Sequence, residues 1–287
     1  MSGNAVDEQM VLSGVSVAGT NEFGEKDDRL HNVNLTIAPG EWLYLVGVNG
    51  SGKTTMARLL AGLYEENLMG TVNRGFAGES ASPIVLQQPK AQLFGESPRE
   101  EVRFALEWRE LAPGSVKART AEALEMTGLT ELADLPWEKL SGGQLQLAAI
   151  AASAASRTPL IVFDEVTSML DDANRKIVLE TAEHIHRSGS AVVWVTQRLD
   201  ELKPDFRVAA LAGGRIIFDG NVRKFLYGET GHDSLCQSSG LRVPYLATLA
   251  MQLRQLNQLQ DPLPVTAEEW RKVMGHFAGA DSTARYT

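Results

Sequence analysis

The sequence predicts an α/β fold, a largely parallel sheet interrupted by an all-helical insertion. Two observations carry this. Short apolar runs at Trp42–Val46, Leu160–Phe163 and Ala191–Val195 end abruptly in glycine, acid or polar residues, as strands buried on both faces do at the edge of a parallel sheet. Between Ile84–Leu86 and Leu160–Phe163 the pattern is only helical, at Arg99–Trp108, Val116–Thr127 and Gln144–Ala155.

Taken in order, Val11–Val17 and Val33–Ile37 read as strands joined by the polar stretch Gly19–Asp28, an antiparallel opening. Trp42–Val46 then runs into GVNGSGKTT, Gly47–Thr55, and the helical pattern MARLLAGLY. After the insertion and the strand Leu160–Phe163 come a helix at Asn174–Arg187, the strand Ala191–Val195, and two closing strands at Val208–Leu211 and Arg215–Phe218. No internal repeat or low-complexity segment interrupts them.

Composition narrows the function. With 287 residues, 44% of them hydrophobic, the chain predicts one main domain plus a tail. A formal net charge of -9 argues against nucleic acid as a partner and against nonspecific binding to an anionic membrane surface. The start MSGNAVDEQM has neither a basic n-region nor an apolar h-region, and the single cysteine, Cys236, allows no internal disulfide, so a cytosolic chain is expected. The apolar part of the longest uncharged run, Leu145–Ser156, is too short and too alanine-rich to span a bilayer, which leaves any membrane role to partners.

The glycine loop carries the strongest chemical signal. Gly47, Gly52, Lys53 and Thr54 match GxxxxGK[ST] between a strand and a helix. With Asn49, Gly50 and Ser51, the glycines let backbone N–H groups turn inward around phosphates; Lys53 reaches the β and γ oxygens, and the Thr54 hydroxyl, followed by Thr55, can ligate magnesium. A nucleoside triphosphate is the expected ligand. The second signal is LIVFDEVTSMLD, where Asp164 and Glu165 stand at the exit of an apolar strand: Asp164 can hold magnesium and Glu165 can orient the attacking water. The third is LSGGQLQ, where Ser141, Gly142, Gly143 and Gln144 precede an apolar helix. From spacing alone an ordinary helix capped by Ser141 is a better reading than a second anion site.

The set GVNGSGKTT, LSGGQ, LIVFDE and SMLD, in that order, resembles the ATP-binding-cassette (ABC) ATPases. That resemblance implies a P-loop NTPase fold of the ABC type: a mixed sheet core with an antiparallel β subdomain, an inserted helical subdomain at about 95–157 within a cassette spanning 8–227, and a C-terminal helical extension at 228–287. It implies ATP and Mg2+ as ligands and a head-to-tail pair of cassettes. Ser141–Gln144 of one then closes over the nucleotide on the glycine loop of the other, and Asp171 of SMLD joins the nucleotide-binding set. It further implies a glutamine that senses magnesium and couples to a membrane partner, here Gln87, with Gln88 the neighbouring alternative. More narrowly, QQPKAQLFG and the tail pattern GLRVP, Leu246–Leu256 and PLPVTAEEW resemble the ATPases of energy-coupling-factor importers. Such proteins take up vitamins or metal ions from the cytoplasmic face of the membrane, beside a transmembrane coupling subunit and a substrate-binding membrane subunit. Their tails help two cassettes dimerise, although Leu246, Leu249, Leu253 and Leu256 equally fit a helix packed on its own domain.

Three departures stand out. The family's strand after the acidic pair ends in threonine and histidine, and the histidine meets the γ phosphate; here Thr196 is followed by Gln197, which can donate a hydrogen bond but carries neither a proton for transfer nor a charge. None of the five histidines, at 31, 184, 186, 232 and 276, lies near it in sequence. The aromatic residue that stacks on adenine is replaced by Gly19 in VSVAG, with Phe23 the candidate substitute, and Leu147 stands where arginine is common in the signature helix. His184 and His186 match a metal pair only by type and are expected on the polar side of their helix. The expected function is therefore ATP hydrolysis powering an importer, working beside a second and preferably different cassette. The alternatives are a hydrolysis-impaired cassette that mainly completes its partner's site, or the ATPase of another ABC transporter class. A chromosome-maintenance ATPase would need a long coiled-coil insertion, and no such pattern occurs.

Overall fold

The computed structural model describes residues 8–19, 29–63, 67–109, 112–228 and 234–283. Phe23 and His232 lie outside them, as does most of the polar stretch before β2. Three strands, β1 (Met10–Val17), β2 (Leu30–Ile37) and β4 (Leu68–Asn73), form an antiparallel sheet in the order β2-β1-β4. The larger sheet takes β3 (Trp42–Val46), β5 (Ile84–Val85), β6 (Leu160–Asp164), β7 (Ala191–Thr196), β8 (Arg207–Ala212) and β9 (Arg215–Asn221) in the order β5-β6-β7-β3-β8-β9. Its neighbours pair in parallel except β9, which closes the edge antiparallel to β8.

Every residue of β3, β6 and β7 is buried, and the two-residue period of a strand divides them between two cores. Leu43, Leu45, Val162, Val193 and Val195 pack with the small sheet and with Met56, Leu59 and Leu60 of α1 (Lys53–Leu60). Trp42, Tyr44, Ile161, Phe163 and Trp194 face the other way, toward the remaining helices. Those include the insertion α2 (Pro98–Glu107), α3 (Pro113–Met126) and α4 (Gly142–Ala155), then α5 (Asp172–Arg187). Ser97, Ser141 and Asp171 cap α2, α4 and α5 by accepting the backbone N–H three residues on.

The last helices, α6 (Val222–Tyr227), α7 (Leu235–Ser238), α8 (Tyr245–Gln255) and α9 (Ala267–Thr283), share that second core through Phe225, Cys236, Ala247, Ala250 and Trp270. Arg223 donates to the Leu263 carbonyl and to Glu269, and the Tyr227 hydroxyl to the Pro264 carbonyl, fastening α6 to the segment before α9. Leu249 and Leu253 turn toward the core, while Leu246 and Leu256 remain exposed. No helix among the described residues is long and apolar enough to cross a membrane.

Beyond shifts of up to three residues at other element ends, such as β2 and α3, sequence reading differs from the structure in these places. The helix after the glycine loop begins at Lys53 and ends at Leu60, earlier than the pattern MARLLAGLY suggests at either end. The edge strand β4 escapes notice because LMGTVN is mostly exposed, with no apolar alternation, and is held by backbone pairing to β1. His186 does not sit on a polar face: it is half-buried edge-on to Trp42 and Phe206, and its Nε2 lies 2.9 Å from the Gly40 carbonyl. Imidazole here fills an aromatic cluster, and no group of three or more His, Cys, Asp or Glu side chains placed to hold a metal occurs among the described residues.

A buried cation joins α1 to the start of the loop before β5. Arg74 donates to the carbonyls of Leu60 (2.9 Å), Gly78 (2.8 Å) and Ser80 (3.1 Å) and to the Ser82 hydroxyl (2.8 Å). Replacing it with methionine strands several buried acceptors, so Arg74→Met is expected to lower stability by about 2–4 kcal/mol in equilibrium urea unfolding. A loss within about 0.5 kcal/mol, the range of ordinary surface changes, would contradict this account of Arg74.

Candidate active site

Three adjacent strands deliver the site. In the order β6-β7-β3, Asp164 pairs with Val195 and Thr196 with Val46, so the segments that follow all three leave the sheet at one edge. Lys53 arrives from β3, Glu165 from β6 and Gln197 from β7. The Lys53 Nζ lies 3.1 Å from Glu165 Oε1 and donates to the Val48 carbonyl at 3.1 Å. Gln197 Nε2 donates to the same Glu165 oxygen at 2.8 Å and to Asn49 Oδ1 at 2.7 Å.

The backbone is bent to achieve this. Glu165 has φ 52, a left-handed conformation that costs a non-glycine residue about 1–2 kcal/mol, while its N–H is held by the Val195 carbonyl at 3.0 Å. Gly52, at φ 100, immediately precedes α1, and a Cβ there would lie 2.6 Å from the Arg29 carbonyl. A Cβ on Gly47 would meet the Leu211 carbonyl and Ser51 Oγ at 2.5 Å, so the turn out of β3 requires glycine for close approach alone.

Around these groups lies a polar cleft of about 510 Å³, lined among others by Asn49, Gly50, Gly52, Lys53, Thr54, Thr55, Gln87, Asp164 and Glu165. Ser51 and Gly47 shape the loop beneath it, and the buried Ser51 Oγ has no partner. Burial pushes the Asp164 carboxyl above its ordinary range, opposed by a hydrogen bond from Thr54. Its Oδ1 is buried without a partner. An orphaned carboxylate oxygen beside a threonine hydroxyl and a glutamine is an all-oxygen donor set suited to a small hard cation such as Mg2+. Gln87 reaches the cleft whereas Gln88 does not line it; the preceding Leu86 is gripped through its N–H by Gln92 (2.7 Å) and through its carbonyl by Gln146 (3.1 Å).

Ser141–Gln144 and Asp171 do not line this cleft. They form a second cluster. Ser141 and Gln144 exchange hydrogen bonds as a capping box, and Gly143 lies so close to Asn174 that a Cβ would sit 2.5 Å from its side chain. Asn174 in turn donates to the Asp171 carboxylate, whose acidity this bonding increases. The residues singled out in the sequence thus fall into two groups within one chain.

Sequence reasoning missed Arg29, His31, Gly213 and Gly214, which line the cleft on the Gly52 side. The His31 N–H donates to the Gly214 carbonyl at 2.8 Å, a contact between segments remote in sequence that no local motif announces. One histidine therefore does reach the cleft, but beside Gly52 rather than beside Glu165.

Residues 30–168 match the ABC transporter family. The chain is 34% identical over 245 residues to the energy-coupling factor transporter ATP-binding protein EcfA1 of Halalkalibacterium halodurans, covering 82% of this chain and 86% of that one. Among solved structures, cbiO1 from Clostridium perfringens, part of an ABC transporter complex, superposes with TM-score 0.65 at 24% identity, covering 85% of this chain and 98% of that one. A dimeric post-hydrolysis structure of an ATP-binding cassette bound to ADP and Pi gives TM-score 0.64 at 25% identity, over 75% of this chain and 99% of that one. With the glycine loop, the acidic strand exit and the signature cap all in place, the chain belongs to the ABC transporter ATPases and resembles their EcfA branch.

Proposed function

We propose that this chain is the ATP-hydrolysing subunit of an energy-coupling-factor importer. It sits on the cytoplasmic face of the membrane through a transmembrane coupling subunit and a substrate-binding subunit, and powers uptake of a vitamin or metal ion. The observation that carries the reading is the meeting of Lys53, Glu165 and Gln197 around one carboxylate oxygen in a cleft at the amino end of α1. ATP phosphates would accept from the loop amides and from Lys53. A polyanion gives the Lys53 ammonium a stronger partner than Glu165, which frees that carboxylate to orient a water against the γ phosphate. Thr54, Asp164 and Gln87 would hold Mg2+, which supplies neutralisation of charge on the β and γ phosphates. Gln197 serves as a neutral donor where a histidine would bring a titratable one.

The second cluster supports a two-chain site. Because Ser141–Gln144 and Asp171 lie outside their own chain's cleft, they are free to complete the cleft of another cassette, and exposed Tyr245, Leu246 and Leu256 offer α8 as added contact. A second cassette carrying the missing histidine suits the neutral Gln197, leaving this chain's own site the slower of the two. For the membrane partner, an apolar groove of about 610 Å³ lies between the Gln87 segment and the insertion. It is lined by Ile84, Gln92, Phe94, Phe104 and Trp108, and two of its aromatics are unusually open, Phe94 at 85% and Trp108 at 91%. Gln92 both lines the groove and holds Leu86, next to Gln87, so an apolar segment of the coupling subunit docked there would press on the cleft.

Two outcomes are expected. Lys53→Ala removes the only ammonium among the described residues that line the cleft and abolishes or severely weakens ATP binding in a direct titration; unchanged affinity would overturn the glycine-loop role. In the assembled transporter, Gln197→Ala costs little turnover, whereas removing the switch histidine of the second cassette costs on the order of 10² to 10³. Fast, cooperative hydrolysis by the purified chain alone that collapses in Gln197→Ala would refute the unequal pair.

A further inference from the structure

Behind Gln197 stands a buried carboxylate that the proposed chemistry does not use. Glu201 ends the single helical turn Leu199–Glu201, and its side chain is 1% exposed. Its Oε1 accepts from the Thr167 hydroxyl at 2.7 Å; its Oε2 accepts from Trp194 Nε1 at 3.0 Å and from the Thr196 hydroxyl at 3.1 Å. Arg198 Nε lies 3.6 Å from Oε1. Thr167 follows Glu165 by two residues, and Thr196 immediately precedes Gln197, its hydroxyl also accepting from the Arg198 N–H at 2.9 Å. One side chain therefore grips the backbone segments on both sides of the Glu165–Gln197 contact.

A satisfied indole alone would not call for this arrangement. Trp194 needs one acceptor, and a neutral one would do; a buried carboxylate is costly and is retained here with donors from the β6–α5 segment as well as from β7. We propose that Glu201 is a positioning residue: by clamping Thr167 to Thr196 it holds the Gln197 amide against the Glu165 carboxylate. This rests on the proposed hydrolytic role of Glu165. The clamp touches none of the groups lining the cleft, so it bears on turnover and not on ATP affinity.

The test pairs the purified full chain, in Glu201→Ala, Glu201→Gln and Thr167→Val forms, with a second cassette whose own catalytic glutamate is replaced by glutamine, so that turnover reports only the site built on Glu165; the readouts are ATP affinity, the turnover rate read radiometrically, and backbone amide hydrogen exchange. Glu201→Ala is expected to lower turnover about 10- to 100-fold while ATP affinity moves less than about twofold, the signature of a misplaced reacting group. Exchange should quicken at 165–170 and 196–199 and stay unchanged at 47–55. Glu201→Gln should keep most turnover, because its carbonyl can face Trp194 while the Thr167 hydroxyl rotates to accept from its amide. Thr167→Val breaks one arm without opening a cavity and should reproduce part of the loss, which keeps the test decisive if Glu201→Ala does not fold. Affinity and turnover falling together, or exchange quickening throughout the sheet, would reduce Glu201 to core structure. Unchanged turnover and exchange in Glu201→Ala would remove any role. If the parent chain turned over no ATP even with a second cassette, the hydrolytic reading would fail, and the exchange pattern alone would decide whether the clamp exists.

Discussion

Everything at the site turns on the Glu165 carboxylate. A single oxygen of it faces an ammonium at 3.1 Å and accepts from an amide at 2.8 Å, and the two partners come from chain segments 144 positions apart, as 197 − 53 gives. What brings them together is parallel pairing of β6, β7 and β3, whose in-register ends discharge their loops at one edge. That pairing depends in turn on strands buried on both faces. Each of the three sends alternate side chains into two separate cores, so a register slip by one residue would exchange the aromatic set around Trp194 for the aliphatic set around Val193.

Burial then sets the electrostatics. Lys53 is nearly inaccessible, and an ammonium so placed needs compensation; Glu165 and the Val48 carbonyl supply it. Asp164, one residue before Glu165, is pushed toward its neutral form by desolvation and leaves one oxygen without a partner. Lys53 is thus paired, while one Asp164 oxygen and the Ser51 hydroxyl are buried without a protein partner. Strain at Glu165, with φ 52, is tolerated because the Val195 carbonyl and the Lys53 and Gln197 contacts over-determine its position.

Features written in contiguous residues were the legible ones. The runs WLYLV, LIVFD and AVVWVT read as buried strands because nothing polar interrupts them, and the glycine loop and acidic pair read as chemistry because spacing along the chain is spacing in space there. Glu201 was invisible for the opposite reason. Its charge falls in RLDEL, a solvated-looking stretch, and its function comes from Thr167, which lies 34 residues earlier. His31 and Gly214 meet only because the small sheet packs beside β8–β9, and β4 lacks the alternation that marks a half-buried strand. His186 was misplaced because helical spacing alone does not reveal that Gly40 and the Trp42–Phe206 stack cover that part of α5.

The two clusters lie apart within one chain, and on the proposed reading each is a half-site that needs a second cassette to complete it. Glu165→Gln keeps the size of the side chain and an oxygen that can still accept from Lys53 and Gln197 while removing the negative charge, so hydrolysis is expected to stop with the shape of the cleft kept. The direct measurement is to incubate this variant with MgATP, separate the products by mass, and identify the bound nucleotide. The expected result is ATP retained unhydrolysed in a particle of two cassettes. Nucleotide recovered as ADP at the parental rate, or ATP held by a single chain, would contradict it.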